Sequence, residues 1–187
     1  FVTIREYLAP RLVGRDVDSG DELQALLAPI KDNRFAKAAL DLAWWDLEAR
    51  RRETPLWRLL GGRGPNVTVG ADFGVQASLD ELLAKVTAAV EAGFARIKLK
   101  FRRGWDVDMV RTVRGAFPDT TIHVDCNSGF TLADTSMFEQ LDAFNLAMIE
   151  QPLAHDDLVD HAELARRIAT PICLDESITS VDKARKA

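Results

Sequence analysis

Cysteine is scarce in this chain. Cys126 and Cys173 are the only two among 187 residues, and they form no C-x-x-C pair. That excludes a disulfide framework and leaves free thiols in a cytoplasmic protein as the expectation. Positive charge is also short: 24 Lys and Arg face 29 Asp and Glu, a net charge of −5. A phosphate-backbone partner is thereby disfavoured, since nucleic-acid binding starts from a basic face. No apolar run approaches the roughly 20 residues that span a bilayer, so no membrane partner is expected. Residues 1–13 carry Arg5, Glu6 and Arg11 and do not read as a signal peptide. Without such a signal, the sequon at Asn66-Val67-Thr68 carries no meaning. Neither G-x-x-x-x-G-K-[ST] nor G-x-G-x-x-G occurs, so nucleotide-dependent chemistry has no support.

What is present suits a folded α/β protein: 47% hydrophobic and 28% charged residues. Residues 1–60 read as helices only, with an amphipathic segment at Asp21–Leu27 and a long apolar-rich helix at Asn33–Arg52. Glu53-Thr54-Pro55 ends that helix, because the residue before proline avoids the α region. The run Gly61-Gly62-Arg63-Gly64-Pro65 then breaks the chain and marks a domain boundary. Beyond it, β-rich runs at Val67–Phe73, Arg96–Lys100, Thr121–Asp125, Ala147–Glu150 and Pro171–Leu174 alternate with amphipathic helices. One of these helices opens on a capping box at Ser78 and Glu81. Strand–helix–strand repetition implies parallel strands with right-handed crossovers. None of the runs shows the clean alternation of a solvated antiparallel strand.

Charged residues close the strands at a fixed interval. Lys100, Asp125, Glu150 and Asp175 are each 25 residues from the next. One strand–helix unit consumes about that many residues, so all four are expected at equivalent points, the C-terminal strand ends where parallel α/β folds bind ligands. Three converging carboxylates repel one another, by about 4 kcal/mol for a pair roughly 4 Å apart at an effective dielectric of 20. A cation among them relieves that repulsion. Oxygen ligands without Cys or His favour a hard ion, Mg²⁺ before Mn²⁺. His123 shares the strand face of Asp125 and reads as a hydrogen-bonded core residue. His155 and His161 have no partners at ligand spacing. Lys98 and Lys100 lie on one strand face. Neighbouring positive charge is expected to lower the pKa of each, making a base able to take a proton from carbon.

At these residues the sequence resembles the enolase superfamily, in its muconate-lactonizing-enzyme-like subgroup. The matching stretches are RIKLK (96–100), Gly104-Trp105-Asp106, VDCNS (124–128), TLAD (131–134), MIEQPLAHDD (148–157) and TPICLDES (170–177), with NRFAKAALDLAWWDL (33–47) similar to the capping-domain helix. The likeness leans toward the o-succinylbenzoate synthase and N-acylamino acid racemase group.

The resemblance implies an α/β fold of the (β/α) barrel type, partial in this chain, with a remnant of an α+β capping domain. Residues 1–64 would be the helical C-terminal part of the capping domain, and 65–187 the first five βα units of the barrel. It also implies Asp125, Glu150 and Asp175 as Mg²⁺ ligands, with Lys100 as acid/base catalyst and Lys98 stabilising the enediolate. Asn127 and Glu176 would orient the ligands. The implied reaction is dehydration of a small cyclohexadiene carboxylate in menaquinone biosynthesis, with racemisation of N-acylamino acids beside it, in a homo-oligomer. A second lysine would follow near position 200. Dipeptide epimerase and muconate cycloisomerase are alternatives on the same site. Two further readings are a Schiff-base lysine and a truncated, non-catalytic metal binder.

Overall fold

A computed structural model describes residues 1–187 as two compact units, Phe1–Val67 and Thr68–Ala187. In the first, a π-helical turn (Ile4–Leu8) and a 3-10 turn (Ala9–Arg11) precede α1 (Gly20–Leu27), α2 (Arg34–Arg51) and α3 (Leu56–Leu59). Ser19 caps α1 by accepting from the Glu22 amide at 3.1 Å, and Glu22 returns a bond to the Asp18 amide at 2.9 Å. Such reciprocal bonds satisfy donors that a helix start leaves unpaired. Leu8, Leu23 and Leu27 form a small core against Leu40 and Trp44. Ala36 of α2 packs against the same core. Phe35 is 96% and Leu42 64% exposed, so the helix's apolar content does not by itself mark a buried face.

The second unit carries five strands: β1 (Ala71–Phe73), β2 (Arg96–Lys100), β3 (Thr121–Asp125), β4 (Ile149–Glu150) and β5 (Ile172–Cys173). All neighbours pair in parallel, in the order β1-β2-β3-β4-β5. Each strand lies beside its successor in the chain, with no reversal of order. That is the winding of a barrel rather than of a doubly wound sheet, and it matches the partial barrel expected. Helices α4 (Leu79–Glu91), α5 (Val107–Ala116), α6 (Thr135–Leu141) and α7 (Leu158–Ala165) provide the crossovers, and α8 (Val181–Lys186) follows β5.

The strands differ from the sequence expectation in three ways. β1 begins at Ala71 rather than Val67, because Ala71 pairs with Ile97 and β2 offers few residues further back. A side chain at Gly70 would meet the Arg96 carbonyl at 2.8 Å, so only glycine allows the two chains to approach there. β4 and β5 shrink to two residues each. β2 does alternate: Ile97 and Leu99 are buried, whereas Lys98 and Lys100 on the other face are only partly covered. The capping box of α4 is also altered, since Ser78 accepts from the Glu81 amide at 3.2 Å but Glu81 returns its bond to Ala77.

Ile97, Leu99, Ile122, Val124 and Ile149 meet Leu82, Val86, Met109, Val110, Val113, Phe138, Leu141 and Leu164 of the helices in one core. Each fully buried aliphatic side chain contributes about 1.5–3 kcal/mol, so this layer is what holds the strand ends in place. At those ends Phe101, Phe130 and Phe138 form an aromatic trio with centroids 5.4 to 6.5 Å apart. The trio packs the loops after β2 and β3 onto α6. Both cysteines are free, as expected.

Candidate active site

Strand register places the charged residues side by side. Lys100 is the lateral partner of Asp125, and Asp125 of Glu150. The 25-residue interval is therefore a row across three strands. At the third step the row shifts: Glu150 pairs with Cys173, which puts Asp175 two residues beyond the level of the others. The expectation of four equivalent points is corrected there. Barrel strands are staggered, so equal spacing along the chain does not guarantee equal height.

Asp125 is the hub. Its Oδ2 lies 2.6 Å from the Lys100 Nζ and 2.8 Å from the Lys98 Nζ. Its Oδ1 accepts from the Asn127 amide at 3.0 Å. Lys98 also donates to Glu150 Oε1 at 2.7 Å, and Lys100 to Asn127 Oδ1 at 2.7 Å. Asn127 Nδ2 donates to Glu176 Oε1 at 3.0 Å. Asn127 and Ser128 have φ values of 45° and 62°, which turn the chain back after β3. Asparagine tolerates this left-handed region better than most residues.

Electrostatics follow from these contacts. Burial would raise the Asp125 carboxyl, but bonds from Lys100, Lys98 and the Asn127 amide hold it below the ordinary carboxylate range. Burial would lower the Lys98 ammonium, yet Asp125 and Glu150 hold it well above the usual lysine value. This corrects the expectation of lowered values for Lys98: its nearest charges are carboxylates, not the second amine. Asp175 takes part in no ion pair, and burial, Glu176 and Glu150 push its carboxyl up. Burial also raises both thiols, so neither cysteine is a thiolate at neutral pH.

His123 is buried, but it is not the hydrogen-bonded core residue expected. Its Nδ1 has no partner and its Nε2 stands 3.5 Å from Glu150 Oε2. His161 is a core residue that accepts from the Leu153 amide at 3.2 Å and contacts the Asp157 carbonyl. His155 is exposed.

As they stand, Asp125, Glu150 and Asp175 do not group around one point. No three His, Cys, Asp or Glu side chains do so anywhere in the chain. The ammonium of Lys98 is the cation that Asp125 and Glu150 share. The donor chemistry nevertheless fits a hard divalent ion, because Asp175 and Glu176 bring uncompensated negative charge and a buried oxygen, Glu176 Oε2, with no partner.

One participant escaped the sequence reading. Gln151 is completely buried, and its carboxamide links the ends of β4 and β5. Its only signal was a place inside MIEQPLAHDD, where attention falls on the charged neighbour.

Comparisons with known proteins agree with this architecture. Residues 81–187 match the family described as enolase C-terminal domain-like. Residues 1–61 match the N-terminal domain of mandelate racemase/muconate lactonizing enzyme. The chain is 50% identical to an o-succinylbenzoate synthase of Geobacillus kaustophilus, over 98% of this chain and 49% of that protein. It is 46% identical to an N-succinylamino acid racemase of Thermus thermophilus, over 98% of this chain and 50% of that protein. A solved enolase-superfamily structure from Enterococcus faecalis V583 superposes with a TM-score of 0.85 at 41% identity, over 99% of this chain and 50% of the other. The chain thus spans about half the length of the curated relatives it matches. It belongs to the enolase superfamily, in the mandelate racemase/muconate lactonizing enzyme branch.

Proposed function

We propose that the full-length protein is a Mg²⁺-dependent carbon–oxygen lyase that dehydrates a cyclohexadiene carboxylate to o-succinylbenzoate, a step of menaquinone biosynthesis. Enolase-superfamily enzymes generally use a divalent metal. Mg²⁺ is the specific choice here because the donors are carboxylates alone, and Mn²⁺ suits them next best. Asp125, Glu150 and Asp175 would hold it, with Asn127 and Glu176 orienting the set. When bound, it supplies a fixed positive charge for the substrate carboxylate.

The remaining steps belong to this chain's own groups. Lys100 in its amine form takes the proton α to the carboxylate. The Lys98 ammonium faces the negative charge that develops on the carboxylate oxygens, where a preorganised cation stabilises the transition state most. Departure of the β-hydroxyl as water completes the dehydration, with the proton returned by Lys100.

The observation that carries this reading is the pair of ammonium groups, 2.6 and 2.8 Å from one oxygen of a buried carboxylate at the C-terminal edge of parallel strands. N-succinylamino acid racemisation is a second reading, favoured by the name of the Thermus relative. It needs a second base on the opposite substrate face, expected near position 200. The test is steady-state kinetics of full-length protein with Mg²⁺ and each substrate class, wild type beside Lys100→Ala. Loss of dehydration by about 10²–10⁴-fold in the variant supports the role of Lys100. Retained turnover rejects it.

A further inference from the structure

We infer that Gln151 is a positioning residue for the candidate metal site, setting where the Asp175 and Glu176 carboxylates stand relative to Glu150. This rests on the proposed function above. Gln151 follows Glu150 directly in the chain, and its side chain grips the loop that carries the other two acids. Oε1 accepts from the Asp175 amide at 2.9 Å and the Ser177 amide at 3.2 Å. Nε2 donates to Ser177 Oγ at 2.8 Å and the Leu153 carbonyl at 3.2 Å. Those four bonds use the full capacity of a carboxamide.

The two gripped amides flank Glu176, so the loop after β5 is fixed on both sides of that residue. The backbone of Gln151 adds two more ties: its amide donates to the Cys173 carbonyl at 2.8 Å, and its carbonyl accepts from Ser128 at 2.8 Å. One residue therefore links the β3 loop, the end of β4 and the β5 loop.

The length of β5 makes this necessary. β5 stops at Cys173, so no strand pairing holds Asp175. The neighbouring acids repel Asp175, and a free loop would swing its carboxylate away from them. The Gln151 carboxamide opposes that motion without adding charge. A glutamate in its place would keep the acceptor and add another negative charge beside Glu150 and Asp175. The backbone of Gln151 has φ 39°, a left-handed conformation that is unfavourable for a non-glycine residue. The surrounding bonds hold it there.

Mn²⁺ binding by calorimetry and thermal unfolding of the metal-free protein, measured on full-length wild type and Gln151→Met, test this. Methionine keeps the buried volume and removes all four bonds. The expected result is a loss of Mn²⁺ affinity of about 10- to 100-fold, the usual effect of removing a group that orients ligands. Unaltered Mn²⁺ affinity in a folded Gln151→Met protein overturns the inference, even if its unfolding temperature drops. If the variant does not fold, hydrogen exchange of metal-free wild type decides. Asp175 and Ser177 amides as protected as those of β3 support the inference, and exchange as fast as open loops overturns it. Wild type that binds no Mn²⁺ and dehydrates nothing defeats the functional reading instead. Exchange at the two amides then still judges the grip of Gln151.

Discussion

Lys98 and Glu150 meet at 2.7 Å although β3 lies between their strands. The ammonium reaches over Asp125, contacting it at 2.8 Å on the way. A single cation thus ties three strands at their C-terminal ends. Each participating group is chemically costly to leave unpaired in a partly buried setting.

Removing that cation should expose the repulsion it masks. Lys98→Met is expected to lower the stability of the metal-free protein by about 1–3 kcal/mol. The rise in melting temperature on adding Mn²⁺ should be larger in the variant than in wild type, since the ion then offsets more repulsion. Differential scanning calorimetry with and without Mn²⁺ checks this, and equal increments in both proteins contradict it.

Stability should depend on pH with a sign fixed by the two groups. The folded Asp125 carboxyl is lowered, so its contribution is present above the ordinary aspartate pKa and is lost as pH falls below about 4. The folded Lys98 ammonium is raised, so its contribution is complete below the ordinary lysine pKa and is lost as pH rises beyond about 10.5. Asp125→Asn should flatten part of the acid limb, as read from urea unfolding midpoints between pH 2.5 and 7. An acid limb as steep as that of wild type argues against the pairing.

Asp175 carries the opposite sign. Its folded carboxyl is raised, so ionising it costs stability once pH exceeds the ordinary aspartate value. Asp175→Asn should therefore leave the metal-free protein as stable as wild type or more so at pH 7. The same variant should lose most of the Mn²⁺-induced stabilisation. Thermal scans of both proteins with and without ion test the two halves together.

Arg114 offers a contrast at the other end of the sheet. Its guanidinium donates to the carbonyls of Phe117, Pro118, Thr120, Phe144 and Asn145, over 2.7 to 3.2 Å. These carbonyls precede β3 and β4, opposite to the candidate site. Arg114→Met should cost about 2–4 kcal/mol of unfolding free energy. The folded fraction should keep wild-type kcat and KM, because nothing at the C-terminal strand ends loses a partner.

Much of this was readable from residue order. The strand–helix alternation follows from local apolar periodicity, and the cap at Ser78 from a serine placed just before an apolar run. The row Lys100, Asp125, Glu150 was visible as an interval because each unit repeats one length of chain. Other features had no such mark. The exposure of Phe35 and Leu42 depends on what packs around α2, and periodicity reports only that a face is apolar. His123 looked like an ordinary core histidine, but its lack of a partner at Nδ1 is a matter of neighbours on other strands.

By itself, then, the chain's order of residues determined a parallel α/β fold with acids and lysines at the strand ends. Periodicity, spacing and side-chain chemistry are properties of one segment at a time. The tertiary structure alone decided that Lys98 sits between Asp125 and Glu150, that Asp175 lies two residues past the row, and that Gln151 holds its loop. Those relations join residues 24 to 52 positions apart through the stagger of strands, and no local pattern encodes a stagger.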